Sequence, residues 1–371
     1  MKFKADRATL MKVLAHIQSV AEKRNTIPIL ANAMIAVRDG RLTFTATDME
    51  IAVVEEVMAS VSRDGATTAP AGTLYEIVRR LPEAAEIELE LTGEQLKLRA
   101  GRYSTSLVTL PTDDFPSMTA GALPHRFKLT GLALRGLIDR TRFAISTEET
   151  RYYLNGIYLH ATNAEPPMLR AVATDGHRLA RVEEPLPAGA AGMPGVIVPR
   201  KTVAELRKLL DEEGGEVEIA LSDTRIQFKA GAITLTSKLI DGTFPEYERV
   251  IPKDNDKVLR VGTKDFSSAV ARVAAISSER SRPVKMALTN DLLTLSAASP
   301  EQGTASEELD EGRVEYSSGP LEIGFQARYL NDITDQIGER LEFHFSDGTA
   351  PTVVRDGEDS SAVYVLMPMR V

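Results

Sequence analysis

At 371 residues the chain is long enough for two or three domains, and its hydrophobic (43%) and charged (26%) contents are those of an ordinary globular protein. The absence of cysteine excludes a disulfide framework, Cys-ligated zinc and a thiol nucleophile. A formal net charge of -9 argues only weakly against a nucleic-acid partner, because a polyanion feels the local face it approaches.

No apolar run reaches the ~20 residues of a membrane span. The start, Met1-Lys2-Phe3-Lys4, opens directly in a strand-like pattern, so the cytoplasm is the expected address. Helical stretches are predicted over 6–24, 72–80, 131–142, 199–208, 263–282 and 327–337. The first keeps Leu10, Val13, Leu14, Ile17 and Ala21 on a buried stripe, with Lys12, His16, Ser19 and Lys23 along another face. The second is entered from a strand at 67–70 and buries Leu74, Ile77 and Val78; an alternating strand follows over 86–91. The third buries Leu134, Leu137 and Ile138 and turns Arg135, Asp139 and Arg142 elsewhere. The fourth, entered from 196–199, buries Val203, Leu206 and Leu210 and precedes a strand at 217–221; residues 188–192 read as a surface loop between elements. The fifth buries Phe266, Ala269, Val270 and Val273 with Lys264, Ser268 and Arg272 outward. The sixth buries Leu330, Ile333 and Ile337 before a strand at 341–345.

The elements repeat. Thr45-Ala46-Thr47-Asp48-Met49-Glu50, Ala173-Thr174-Asp175-Gly176-His177-Arg178-Leu179 and Ser296-Ala297-Ala298-Ser299-Pro300-Glu301 each follow an alternating run, about once every 125 residues. Phe115-Pro116-Ser117-Met118 and Phe244-Pro245-Glu246-Tyr247 close the first two copies, and Met367-Pro368-Met369-Arg370-Val371 closes the third. Polar, Pro- or Gly-bearing joints then give three domains, 1–124, 125–255 and 256–371. The fold class is α+β, two helices packed on antiparallel sheets in each domain.

Charge divides unevenly between the elements. The six helical stretches hold 18 Lys and Arg against 9 Asp and Glu, a net +9, which leaves -18 for the rest of a chain of charge -9. If sheets face outward and helices face one interior, that interior attracts phosphate without reading sequence. Helices that simply carry solvated Lys and Arg fit the same composition.

Asp175 and His177 invite a catalytic reading, and a hydrolase is one rival. Neither neighbouring copy preserves the His, and no nucleophile-elbow pattern occurs. The histidines (His16, His125, His160, His177 and His344) lack metal-ligand spacing, and there is no GxGxxG or phosphate-binding loop, so neither metal nor cofactor is expected. A repeat scaffold that binds peptides but no DNA is the second rival. The tail differs from an ordinary strand end. Pro368 cannot join a ladder, and flexible Met367 and Met369 suit a groove that accepts several partners.

The chain resembles the beta sliding clamps of bacterial DNA polymerase III, from Met1 to Val371. The resemblance is carried by Thr26-Ile27-Pro28-Ile29-Leu30, Thr150-Arg151-Tyr152-Tyr153-Leu154-Asn155-Gly156, the 173–180 motif, Val198-Pro199-Arg200-Lys201, Thr236-Ser237-Lys238-Leu239, Phe244-Pro245-Glu246-Tyr247 and the tail. It implies a non-enzymatic processivity factor: a head-to-tail homodimeric ring whose helices line a hole around duplex DNA. It also implies a cleft for short Leu- or Phe-anchored peptides of the polymerase III alpha subunit, the clamp loader, bypass polymerases and repair proteins. Carried over, the cleft comprises Leu154, Thr174, Gly176, His177, Arg178, Leu179, Pro245, Arg249, Val250, Val365, Leu366, Met367, Pro368, Met369 and Arg370, with His177 and Arg178 at the rim. The implied DNA contacts are Arg24, Tyr152, Tyr153, Lys201, Arg280 and Arg282. Glu148 departs from the pattern as an acceptor-only group that would repel phosphate, and Ser281 offers no aromatic or aliphatic contact. At the implied seam Thr105 and Leu107 meet Ala275 and Ile276 of the other subunit.

Overall fold

Residues 1–21, 26–119, 121–212, 215–276, 283–310 and 312–370 are described by a computed structural model. The implied DNA contacts Arg24, Arg280 and Arg282 lie outside these residues, as do Ser281 and Val371. Among the described residues the α-helices are α1 (Arg7–Val20), α2 (Ala71–Arg80), α3 (Gly131–Asp139), α4 (Arg200–Glu212), α5 (Thr263–Ala274) and α6 (Ala327–Thr334). A helix forms within each of the six expected stretches. The third ends early before a 3-10 turn, Arg142–Ala144, the fourth runs longer than its periodic stripe, and the fifth ends at Ala274. Residues 22–24 and 277–282 of the first and fifth stretches lie outside the described residues.

Helix α1 starts where Asp6 caps it, its carboxylate accepting from Thr9 N at 2.8 Å and from Thr9 Oγ1 at 2.8 Å. Those bonds hold the Asp6 carboxyl below its ordinary range, and a cap of this kind contributes about 1 kcal/mol. The helix buries Leu10, Val13, Leu14, Ile17 and Val20 against α2 and the strands Arg41–Thr47 and Ile51–Val57. His16 corrects the expected outward face: it is buried, with Nδ1 2.8 Å from Glu55 Oε2.

By contact the chain forms two compact units, each drawing on more than one of the sequence repeats. The first unit comprises 1–135, 187–194 and 201–239. Its five-stranded sheet runs in the order Ser60–Arg63, Lys2–Asp6, Glu86–Thr92, Gln95–Ala100, Tyr103–Val108. Its eight-stranded sheet joins the first and middle thirds of the sequence, because Ile51–Val57 pairs antiparallel with Ile233–Lys238. Residues 187–195 form a loop as expected, but Ala190 is fully buried. A Cβ on Gly189 (φ +93°) would lie 2.2 Å from Arg126 O, so only glycine allows the loop to sit against the strand His125–Thr130.

The second unit comprises 136–186, 195–200 and 240–371. Its nine-stranded sheet joins the middle and last thirds through Arg178–Pro185 pairing with Ala362–Leu366. Its four-stranded sheet runs Gly303–Leu309, Leu292–Ser299, Pro283–Thr289, Leu321–Gln326. Helix α5 packs on α6 and on this sheet, as α1 packs on α2 and its own strands. The repeat is thus visible in packing as well as in sequence. Among the described residues no helix is long and apolar enough to cross a membrane.

Candidate peptide cleft and nucleic-acid contacts

The Thr-Asp unit that marks the repeat is a turn with one chemistry in two places. Asp175 Oδ1 accepts from His177 N (2.9 Å) and Arg178 N (3.1 Å), while Thr174 Oγ1 donates to Arg178 O (2.7 Å) and accepts from Gly176 N (3.1 Å). In the first copy Asp48 Oδ1 accepts from Glu50 N (2.8 Å) and Ile51 N (2.7 Å), and Thr47 Oγ1 donates to Ile51 O (2.8 Å). The turn needs a positive φ at its third residue, supplied by Met49 (74°) in one copy and Gly176 (88°) in the other.

Beside the second of these turns lies a cavity of about 310 Å³. Its floor is the apolar cluster of Leu154, Val172, Leu179, Ile197, Phe244, Tyr247 and Val365. Of the residues implied for the cleft, Leu154, Thr174, Gly176, Arg178, Leu179, Pro245, Val250, Val365 and Met367 line it. Arg151, Tyr153, Glu246 and Tyr247 line it too. The conspicuous sequence signal for Tyr247 is the Phe-Pro-x-Tyr motif, noticed above as a repeat rather than as a wall.

Arg178 is not the rim residue expected. Only 5% exposed, it donates from Nε to Asp175 Oδ2 (3.1 Å) and from Nη2 to Phe143 O (2.6 Å), and pairs with Asp332 of α6. Its guanidinium also lies 4.5 Å from the Tyr329 ring centroid and 5.1 Å from that of Phe143. Asp175 is therefore committed to the turn and to its ion pair with Arg178, and is not free to orient His177 as a base. The exposed His177 ring stacks on Tyr329 at 6.2 Å. Arg151 stands at the mouth instead, its Nη2 2.6 Å from Glu148 Oε1; a Cβ on Gly176 would lie 2.6 Å from Arg151 Nη1. Arg151 thus offsets the charge of Glu148 that the sequence marked as repelling phosphate.

The tail divides at Met367. Leu366 is fully buried as the last residue of its strand, and Met367 N donates to His177 O at 2.9 Å. Pro368, Met369 and Arg370 then leave the cleft: Met369 N donates to Gly324 O at 2.8 Å, and the three residues line a separate cavity with Lys285, Glu322 and Thr349. Arg249 is exposed and pairs with Glu246, and neither His177 nor Arg249 lines the cleft cavity.

The residues implied for DNA and for the seam fall as follows. Tyr152 is 54% exposed, whereas Tyr153 packs on the cleft cluster, so the two adjacent tyrosines have different surroundings. Lys201, in the first turn of α4, pairs with the buried carboxylate of Asp48. Thr105 and Leu107 are half-buried on Tyr103–Val108, an edge strand of the five-stranded sheet. Ala275 and Ile276 follow α5, and Ile276 Cδ1 approaches the Gly303 position of Gly303–Leu309, an edge strand of the four-stranded sheet. Both edges present backbone donors and acceptors to a further strand.

Such a chain, α+β with a unit of two strand-led helices used three times, is of the clamp type. Models of the DNA polymerase III beta subunit match it in order: the N-terminal domain over 1–119, the central domain over 128–246 and the C-terminal domain over 248–370. The chain belongs to that family, the beta sliding clamps. It is 50% identical to the beta sliding clamp of Caulobacter vibrioides and 38% identical to that of Escherichia coli, each match covering 100% of both chains. A sliding clamp from Bartonella birtlesii, solved bound to griselimycin, superposes with a TM-score of 0.97 at 47% identity, again over 100% of both chains.

Proposed function

We propose that the protein is a DNA sliding clamp: a head-to-tail homodimeric ring that encircles duplex DNA, tethers the replicative polymerase and carries out no chemistry of its own. The observation that carries this reading is the ordered match of all three family domains along the chain. Closure supplies retention, so no single phosphate contact need be tight, and the tether raises the polymerase's concentration at the primer end. The two unpaired sheet edges support a seam in which Thr105 and Leu107 of one subunit meet Ala275 and Ile276 of its partner. In this reading Tyr152 and Lys201 belong to the DNA face together with Arg24, Arg280 and Arg282, and the protein works in the cytoplasm.

The cavity beside the 174–178 turn is assigned to Leu- or Phe-anchored peptides of the polymerase alpha subunit, the clamp loader, bypass polymerases and repair proteins. Apolar walls with a few polar groups suit such anchors, and the griselimycin-bound relative supports a ligand site in the family. Sedimentation tests the assembly: the expected mass is near twice 40.4 kDa. Primer extension by a polymerase III core, with the clamp loader, tests the function. Longer products per binding event are expected, and unchanged product length would contradict the reading.

A further inference from the structure

One wall of the cleft is the segment 244–250, which ends in a 3-10 turn over Tyr247–Val250 and supplies Pro245, Tyr247 and Val250 to the cavity. A second cavity, of about 600 Å³, lies along the other side of the same segment, so the wall is not backed by packed atoms throughout. Among the described residues, the hydrogen bonds that leave this segment for the rest of the chain converge on two side chains, Arg170 and His160. Arg170 Nη1 donates to Tyr247 Oη (3.2 Å) and Glu248 Oε1 (2.5 Å), and Tyr247 Oη lies 2.9 Å from His160 Nε2.

The sheet fixes the other end of this arrangement. His160, Arg170 and Glu183 are direct cross-strand neighbours on three adjacent strands, and Arg170 Nε donates to Glu183 Oε2 at 2.7 Å. His160 Nδ1 faces Ala161 O at 3.1 Å, which places a proton on Nδ1, so in the neutral ring Nε2 accepts from the Tyr247 hydroxyl. The hydroxyl's oxygen in turn accepts from Arg170. Both His160 nitrogens, the Tyr247 hydroxyl and Arg170 Nε and Nη1 thus have partners, which sets the Tyr247 ring in the cleft floor.

We propose that Arg170 is a positioning residue of the peptide cleft: without touching the peptide, it holds the 244–250 wall in its binding geometry through Tyr247 and Glu248. The inference rests on the reading of that cavity as the peptide site. It gives Arg170 a role by preorganisation, since a loose wall must be ordered at the expense of binding.

The test is titration of a fluorescein-labelled Leu/Phe-anchored peptide against the full-length protein and its variants, with dimer mass and melting recorded alongside. Arg170→Met is expected to weaken binding about tenfold and Tyr247→Phe, which keeps the ring and removes the hydroxyl, about threefold. Arg170→Lys, which keeps the charge but not the fork, should recover part of the loss. Because Arg170 acts partly through the Tyr247 hydroxyl, the double variant should bind more tightly than the product of the two single losses predicts. Met367→Ala, a change in the cavity lining itself, is the control. If it weakens binding while Arg170→Met and Tyr247→Phe bind like the parent, the positioning role is overturned and the cleft stands. Strictly multiplicative losses would also overturn the action through Tyr247. Unchanged binding in Met367→Ala and the wall variants alike would overturn the cleft reading, and this inference with it.

Discussion

Arg178, the first residue of its strand, forms a buried ion pair with Asp332 of α6, so the turn that borders the cleft is fastened to a helix more than 150 positions away in sequence. The same guanidinium binds Asp175 within the turn and Phe143 O. Removing it takes the guanidinium from Asp332, which keeps only Arg328 at 3.5 Å, from Asp175, which keeps its backbone donors, and from Phe143 O. Arg178→Ala should therefore cost about 3 kcal/mol, toward the lower end for a broken buried pair because Asp332 is 28% exposed. Urea unfolding reads this directly. A loss under 0.5 kcal/mol would show that the guanidinium is dispensable.

The division of the tail at Met367 predicts that its two methionines behave differently. Met367 lines the cleft, so Met367→Ala should weaken a Leu/Phe-anchored peptide by about 1–2 kcal/mol, roughly 5- to 30-fold. Met369 lies at the Gly324 edge, and Met369→Ala should leave peptide affinity within about twofold. Fluorescence titration of both variants decides it; equal losses would return Pro368–Arg370 to the cleft.

Lys201 does not meet DNA as an isolated cation, because its ammonium is already shared with the Asp48 carboxylate. Each phosphate contact contributes about one unit to the salt dependence of binding. Lys201→Ala should thus lower the slope by clearly less than one unit, while Asp48→Asn should raise affinity at low salt. Titrations of duplex DNA at several salt concentrations measure both. A full unit lost on Lys201→Ala would mean that Lys201 leaves Asp48 entirely for phosphate when DNA binds, contrary to this expectation.

Burial pushes His160 below its ordinary value of 6.5; Arg170 adds to this, against the hydrogen bond to Ala161 O and the Glu248 charge. With a folded value below the unfolded one, the contribution of neutral His160 to stability is complete above pH 6.5. It declines as pH falls from there toward the folded value, since the unfolded chain takes up the proton first. His344, also lowered chiefly by burial, acts with the same sign. Urea midpoints should fall between pH 7 and pH 5, and His160→Gln should make that fall shallower. An equally steep fall in the variant would remove His160 as a contributor.

Periodicity made the helices legible, and repetition made the Thr-Asp turns legible, because both are local. What escaped depends on partners distant in sequence. His16 shares its helical face with Lys12, Ser19 and Lys23, and nothing near it in sequence shows that Glu55 will cover it. Arg178 sits in an exposed-looking turn motif, yet Asp332 and Tyr329 of α6 enclose it. In sequence the tail is one continuous motif, yet Met367 and Met369 donate to carbonyls on different elements, His177 and Gly324. The two compact units likewise follow from the ladders 51–57 with 233–238 and 178–185 with 362–366, pairings that a reading by repeats does not contain.

The central claim is retention by encirclement, and it is tested by loading the protein with a clamp loader onto nicked circular DNA and then cutting the circle at one site. At moderate salt the account predicts stable retention on the circle and release within minutes of linearisation, as the ring slides off the ends. Protein that stays bound to the linear product at that salt would show that direct affinity holds it, and would contradict the account.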